Sequence, residues 1–290
     1  MLSQQLLNGI TLGATYALIA LGYTMVYGII QLINFAHGEI YMVGAFVGVL
    51  MVSVFKQGLL VSLGAAMLVC MILGVSIEKI AYRPLRKSTR LAPLISAIGV
   101  SIFLQTLMTK IQGPQPVGFP HVIEDALYKF GSIEITKVQI IILVVASLLM
   151  AGLNFIVKYV KIGKAMRAAS EDYDTAALMG INVNRVISFT FAIGSSLAAA
   201  GGVLVGIYFN SVAPLMGVTA GLKAFCAAVL GGIGSIPGAM LGGLFLGVAE
   251  TLGIAGGFDM YKDAIAFTLL IIVLLFRPTG LLGRPIQRKV

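Results

Sequence analysis

The sequence predicts an all-α fold: a polytopic transmembrane helical bundle of about 8–9 membrane segments, with broken or re-entrant elements and a candidate two-fold internal repeat. Composition carries the class. Of 290 residues, 59% are hydrophobic and 11% charged, and the mean hydropathy is +1.01, well outside the range of soluble domains. Segment length carries the architecture. A hydrocarbon core of about 30 Å calls for roughly 20 apolar residues per spanning helix, and uncharged stretches such as Leu6 to Ile30 and Val138 to Val157 supply them.

Along the chain, apolar runs fall at 6–30, 39–55, 58–80, 91–109, 138–157, 186–209, 219–232, 238–254 and 263–276. The first is too long for a signal h-region and Met1 to Gln5 carries no basic side chain, so it is expected to stay in place. At 1.5 Å per residue the runs at 39–55 and 219–232 cover about 25 Å and about 20 Å, and either can enter the membrane without crossing it. Cys70 and Cys226 lie inside apolar runs and read as small hydrophobes rather than a disulfide or metal ligands.

The net charge of +9 does not mark a nucleic-acid binder, because the basic residues concentrate in short stretches between or after apolar runs. These are Lys79, Arg83, Arg86, Lys87 and Arg90; Lys158, Lys161, Lys164 and Arg167; and Arg277, Arg284, Arg288 and Lys289. The positive-inside rule puts all three in the cytoplasm, the C-terminus with them. The stretch 110–137 balances Lys110, Lys129 and Lys137 against Glu124, Asp125 and Glu134, and 210–218 is uncharged, so both face outward. Three crossings before the first basic stretch put Met1 outside, whereas one re-entrant segment puts it inside.

A single membrane domain is expected over 1–290: a first half 1–112, an outer loop 113–137, a linking helix 138–160, a cytoplasmic segment 161–185, a second half 186–276 and a tail 277–290. Ala66-Met67-Leu68 with Leu73-Gly74-Val75 recurs as Ala239-Met240-Leu241 with Leu246-Gly247-Val248. A long helix, a short broken segment and an intact helix occur in both halves, the layout of transporters built from repeats.

Two interruptions are candidates for a translocation path. Asn34, Phe35, Ala36, His37, Gly38 and Glu39 put an amide, an imidazole and a carboxylate between two apolar runs. They read either as an interfacial helix start favoured by the macrodipole or as a broken helix lining a passage, where such backbone is tolerated. The second is 231–238, in which Gly231, Gly232, Gly234, Ser235, Pro237 and Gly238 force a turn. It reads as a tight loop or as a hinge near the path. The many glycines within helices, Gly194, Gly201, Gly202, Gly206, Gly242, Gly243 and Gly247 among them, suit close helix packing. Lys223 is expected to snorkel to an interface, and Glu250 to lie near an outer helix end.

In the cytoplasmic segment, Lys164, Arg167, Glu171 and Asp174 share one face of a short helix while Met166, Ser170, Tyr173, Ala177 and Gly180 share another. Set between two membrane segments, it reads as a solvated surface helix or as a lever that docks on another protein. The chain lacks a Gly-x4-Gly-Lys-Ser/Thr phosphate loop, so energy is expected from a partner or an ion gradient. Neither His37 nor His121 lies in a His-Glu-x-x-His helix, and Ser235 lacks the Gly-x-Ser-x-Gly frame, which counts against a membrane hydrolase.

Over nearly its whole length the sequence resembles the permease subunits of the branched-chain amino-acid ABC importers, the LivH type. The resemblance rests on Gly9 to Gly48, with Ala20 to Gly28 and Asn34 to Glu39; on Arg167 to Arg185; and on Ala224 to Gly243. The last motif also resembles ribose-type sugar permeases. The resemblance implies an ATP-driven importer of the bacterial inner membrane. A periplasmic or lipid-anchored solute-binding protein delivers the solute, a second, related permease completes the path, and two cytoplasmic ABC ATPases hold the ATP and magnesium; this chain holds no cofactor or metal. It also implies that the cytoplasmic segment couples to the ATPases through Lys164, Arg167, Glu171, Asp172, Ala176, Ala177 and Gly180. Ala176 to Gly180 resembles the Glu-Ala-Ala-x-x-x-Gly coupling signature, with Thr175 in place of glutamate and the glycine one residue early. Urea, amides or other amino acids are alternative cargoes, and a gradient-driven carrier or channel is the alternative mechanism.

Overall fold

The computed structural model describes residues 2–283 except 87, 90, 125 and 132. Lys87, Arg90, Arg284, Arg288 and Lys289 of the basic stretches, and Asp125 of the outer loop, lie outside the described residues.

All nine apolar runs are helical: α1 (Leu2–Ile30), α2 (His37–Ser53), α3 (Leu59–Ile77), α4 (Leu91–Gln112), α5 (Lys137–Tyr159), α8 (Val183–Tyr208), α9 (Met216–Gly231), α10 (Ile236–Ala255) and α11 (Lys262–Phe276). Two further helices, α6 (Lys161–Glu171) and α7 (Tyr173–Leu178), connect α5 to α8. Among the described residues six helical stretches are long and apolar enough to cross a membrane, whereas α2 and α9 are shorter. α3 runs on through a π-turn at 78–82 and a 3-10 turn at 83–85. The outer loop is not wholly irregular: β1 (Val117–Gly118) pairs antiparallel with β4 (Ser211–Val212), and β2 (Leu127–Phe130) with β3 (Ile133–Thr136).

The single cytoplasmic helix expected over 164–180 is instead two. Asp172 is extended (φ −160°, ψ 122°) and accepts from the Thr175 amide at 2.9 Å, ending α6 and capping α7. Elsewhere the ends follow ordinary capping chemistry. Thr136 and Gln139 form a reciprocal capping box at α5, Asn182 caps α8, and Ser235 caps α10 with a proline in the first turn.

Side-chain contacts sort the helix ends into two sets. The amide of Gln4 accepts from the Glu134 backbone N–H at 2.8 Å and donates to its carbonyl at 2.9 Å, while Gln139 donates to Asn8 at 2.9 Å. The start of α1 therefore lies at the strand-bearing loop end, opposite the basic stretches. The other end carries Arg83 and Arg86, the start of α8 and the α6–α7 segment.

α1 and α8 are the buried centre of the bundle and run in opposite directions. The packing is reciprocal: α1 lies against α10 and α9, α8 lies against α3 and α2, α1 touches α8, and α2 touches α9. Exchanging α1–α2–α3 with α8–α9–α10 leaves this pattern unchanged, as an inverted repeat requires. The Ala66 and Ala239 echoes are both fully buried, on α3 and α10. Small residues make the close contacts, Gly9 and Gly13 of α1 lying on Gly243, Leu244, Gly247 and Val248 of α10.

Candidate translocation path and coupling segment

Each long central helix ends on a left-handed residue, Gln31 (φ 55°) after α1 and Asn210 (φ 50°) shortly after α8. The chain then re-enters the bundle without helix before a half-length helix begins. At 31–36 the turn is held by Asn34, whose Oδ1 accepts from the Ala36 N–H at 3.1 Å and from the Tyr82 hydroxyl at 3.0 Å, and whose carbonyl accepts from the His37 N–H at 3.0 Å. Asn34 is buried, Phe35 is half-buried against the core, and His37 and Glu39 are buried.

His37 fills space left by Gly22 at the middle of α1 and meets the Tyr23 ring edge-on, with centroids 4.7 Å apart. Glu39 accepts from the Ser101 hydroxyl at 3.3 Å through Oε1. Its neighbour Gly38 faces Gly217, and each is the second residue of its half-helix. A β-carbon on Gly217 would lie 2.7 Å from the Gly38 carbonyl oxygen, and one on Gly38 would collide with the Gly217 carbonyl. The first turns of α2 and α9 thus meet inside the bundle, where their positive dipole ends and free amides converge. Among the described residues, the buried polar side-chain atoms without a protein partner are Thr24 Oγ1, Asn34 Nδ2, His37 Nε2, Glu39 Oε2 and Arg86 Nε. Two belong to the broken segment and its first helical turn from Asn34 to His37, one to Glu39 at the junction itself.

The segment 231–238 does not join this junction. It sits at the far end of α9, about 22 Å away along a 16-residue helix. Gly232 (φ 105°) and Gly234 (φ 91°) make the turn, and Ser235 Oγ accepts from the Gly238 N–H at 3.2 Å. The Leu281 and Leu282 amides donate to the Leu230 and Gly231 carbonyls, each at 2.9 Å, so the segment after α11 is stitched to the turn. Pro237 lies in the first turn of α10, and Gly231 and Gly238 touch across the turn. The partner of 34–39 is the quieter break before α9; its sequence signals are Asn210 and Pro214.

The α6–α7 segment lies beside the end of α1 and the 231–238 turn. A cavity bounded by Thr24, Gly28, Met166, Arg167, Ser170 and Gly234 separates α6 from the end of α1 and the 231–238 turn. The Tyr173 hydroxyl donates to the Ile29 carbonyl, two residues before the first break. Burial pushes this phenol up to about 12, against the pull of Arg86, so it remains a donor. Arg167 is exposed and donates to the Val157 and Lys158 carbonyls at the negative end of α5. Lys164, Glu171, Ala177 and Gly180 are exposed, Asp172 is half-buried and Ala176 is buried. Gly180 (φ 82°) ends the segment. Sequence reasoning passed over its most prominent feature, the apolar pair Leu178 and Met179, 87% and 79% exposed.

A charged clamp beside the segment was also not foreseen. Buried Glu78 accepts from Arg83 at 2.9 and 3.2 Å, from Ser188 at 2.7 Å and from Arg86, which also donates to Asn184 at 2.8 Å. It ties the end of α3 to the start of α8. Burial pulls the Arg86 guanidinium down, and the adjacent Glu78 charge opposes that pull. The snorkelling expected of Lys223 does not occur: its side chain is 8% exposed and pairs with Glu250 at 2.6 Å and Asp263 at 2.8 Å. Acids on α10 and α11 offset the cost of burying the lysine, and their distance in sequence hid them.

The family model for "Branched-chain amino acid transport system / permease component" matches residues 5–274. The chain is 50% identical over 300 residues to the high-affinity branched-chain amino acid transport system permease protein LivH of Salmonella typhimurium, covering 99% of this chain and 97% of the relative. BraD of Pseudomonas aeruginosa, a permease protein of the same description, matches with the same identity and coverage. The ribose import permease protein RbsC of Haemophilus influenzae is 30% identical over 135 residues, 44% of this chain and 42% of the relative. With its opposed central helices, paired half-helices and a family match over nearly all its length, the chain belongs to the permease components of branched-chain amino acid transport systems.

Proposed function

We propose that this permease forms, with a second, related permease, the path of an ATP-driven importer for branched-chain or related hydrophobic amino acids. The observation that carries this reading is 50% identity to LivH and BraD across 99% of the chain. On this reading the protein lies in the bacterial inner membrane with the basic end cytoplasmic. A solute-binding protein docks on the loop end, chiefly 113–137 with Pro114, Pro116 and Pro120, and two ABC ATPases carry ATP and magnesium on the cytoplasmic side.

The path follows the junction of α2 and α9, where the unpartnered Oε2 of Glu39 is served by water or solute. Coupling runs through α6 and α7. Leu178 and Met179 enter an apolar recess on the ATPase, and motion of α7 reaches the end of α1 through Tyr173, next to the first break. The glycine turn at 231–238 senses the same motion through α6.

The test is co-expression with the neighbouring ATPase, permease and binding-protein genes, purification, and ATP-driven uptake of radiolabelled L-leucine into proteoliposomes. Leu178→Asp/Met179→Asp is expected to abolish ATPase association, since burying two unpaired carboxylates in an apolar contact is prohibitive. Wild-type uptake driven by an ion gradient without ATP would overturn the importer reading, and normal association of the double variant would overturn the docking assignment.

A further inference from the structure

Outside the junction and the basic end, a chamber of about 780 Å³ lies between α1, α8, α9, α10 and α11. Its mouth carries Gln5 and Asn8 at the start of α1, with Tyr208 and Ser211 at the end of α8, and so lies at the loop end. Its lining includes Tyr41, in the second turn of α2, and Met216, the first residue of α9. The chamber therefore opens at the loop end and reaches Met216, the residue before Gly217.

Its walls carry charge of both signs. Lys223 lies between Glu250 and Asp263. Glu250 is fully engaged, Oε1 by Lys223 and Oε2 by the Tyr16 hydroxyl at 3.0 Å. Asp263 differs: it meets Lys223 through Oδ1 alone, and its side chain is 54% exposed. Asp259 and Lys262 also line the space and cancel formally, so one carboxylate is left in excess. The lining also has an apolar part, with Leu12, Val205 and Ile254. A chamber with an excess carboxylate, two lysines and an aliphatic wall is complementary to a zwitterion with an aliphatic side chain.

We propose that this chamber is an entry site for an α-amino acid, resting on the import reading above. Asp263 takes the ammonium in place of Lys223, Lys223 and Lys262 meet the carboxylate, and the side chain lies on the Leu12 wall. The chain then contributes to selection after the binding protein has released its solute.

The experiment is L-leucine carried per ATP hydrolysed by the complete importer in proteoliposomes. In Asp263→Asn the ratio is expected to fall about tenfold, the scale of one lost charge-assisted hydrogen bond. Asp263→Glu should restore most of the ratio, which a merely structural role for Asp263 does not require. Lys262→Gln, at an exposed position, should lower it severalfold and serves as the independent variant should Asp263→Asn fail to assemble. Wild-type leucine per ATP in Asp263→Asn, or in Lys262→Gln where that variant stands in for it, overturns the proposal and leaves the import reading intact. Failure of the wild-type importer to carry leucine with ATP overturns both.

Discussion

α2 and α9 are the same structural device used twice, yet their surroundings differ. Both are half-length, both follow a left-handed residue and a non-helical re-entry, and each presents its second residue, a glycine, to the other. The first turn of α2 carries His37 and Glu39, whereas that of α9 is Met216-Gly217-Val218-Thr219, and its charge, Lys223, comes a turn later. The halves also leave the bundle differently. α3 ends in the Glu78 clamp, and α10 ends in an uncharged turn at Gly256 and Gly257. The inverted repeat supplies a symmetric frame, and the placement of charge gives that frame two distinguishable ends.

The clamp is the largest expected difference. Glu78→Gln leaves the two arginines without a counter-charge and should destabilise the protein by about 2–3 kcal/mol, below the cost of breaking a fully buried pair because Arg83 and Arg86 are part-exposed. Gly257→Ala, at the equivalent exit of the second half (φ 90°), should cost roughly 1–2 kcal/mol, the penalty for a left-handed non-glycine residue. Thermal unfolding of both variants in the same detergent measures the gap, and equal losses would remove the distinction between the exits.

The junction tests the symmetry itself. A methyl group at Gly38 or Gly217 meets the backbone of the opposite half-helix, and overpacking of this kind costs about 1–3 kcal/mol. Gly38→Ala and Gly217→Ala should therefore destabilise to a similar degree, and each should lower leucine uptake more than Gly58→Ala, where a β-carbon meets nothing within 4 Å. A large effect at one glycine alone would mean that only one half-helix is pressed against a fixed neighbour.

Much of this frame was legible beforehand, because the bilayer dictates segment length: all nine apolar runs became helices. The break at 34–39 was legible because polar residues interrupt an apolar run. Its partner before α9 was not, since a short uncharged stretch looks like any outer loop, and glycine density drew attention to 231–238 instead. Lys223 shows the larger limit. Nothing near it in sequence announces Glu250 or Asp263, so an isolated lysine reads as one that must reach water. The hydrogen bonds of Arg167 were hidden for a related reason: a basic residue on a surface helix says nothing of the free carbonyls at the end of the preceding helix.

The smallest expected effect is the most specific to coupling. Tyr173→Phe keeps the ring and removes the hydroxyl that donates to the Ile29 carbonyl. One such bond contributes about 1 kcal/mol, so unfolding should shift little. Because burial pushes the phenol up to about 12, the hydroxyl is protonated at neutral pH, and its contribution stays constant until pH rises past about 10, where an unfolded tyrosine begins to ionise. The consequence belongs to transport. If α7 moves the first break through this bond, leucine carried per ATP falls severalfold at neutral pH while ATPase binding is unchanged. If the ratio holds, motion reaches the half-helices through α6 and the glycine turn, and the second half, not the first, receives the stroke.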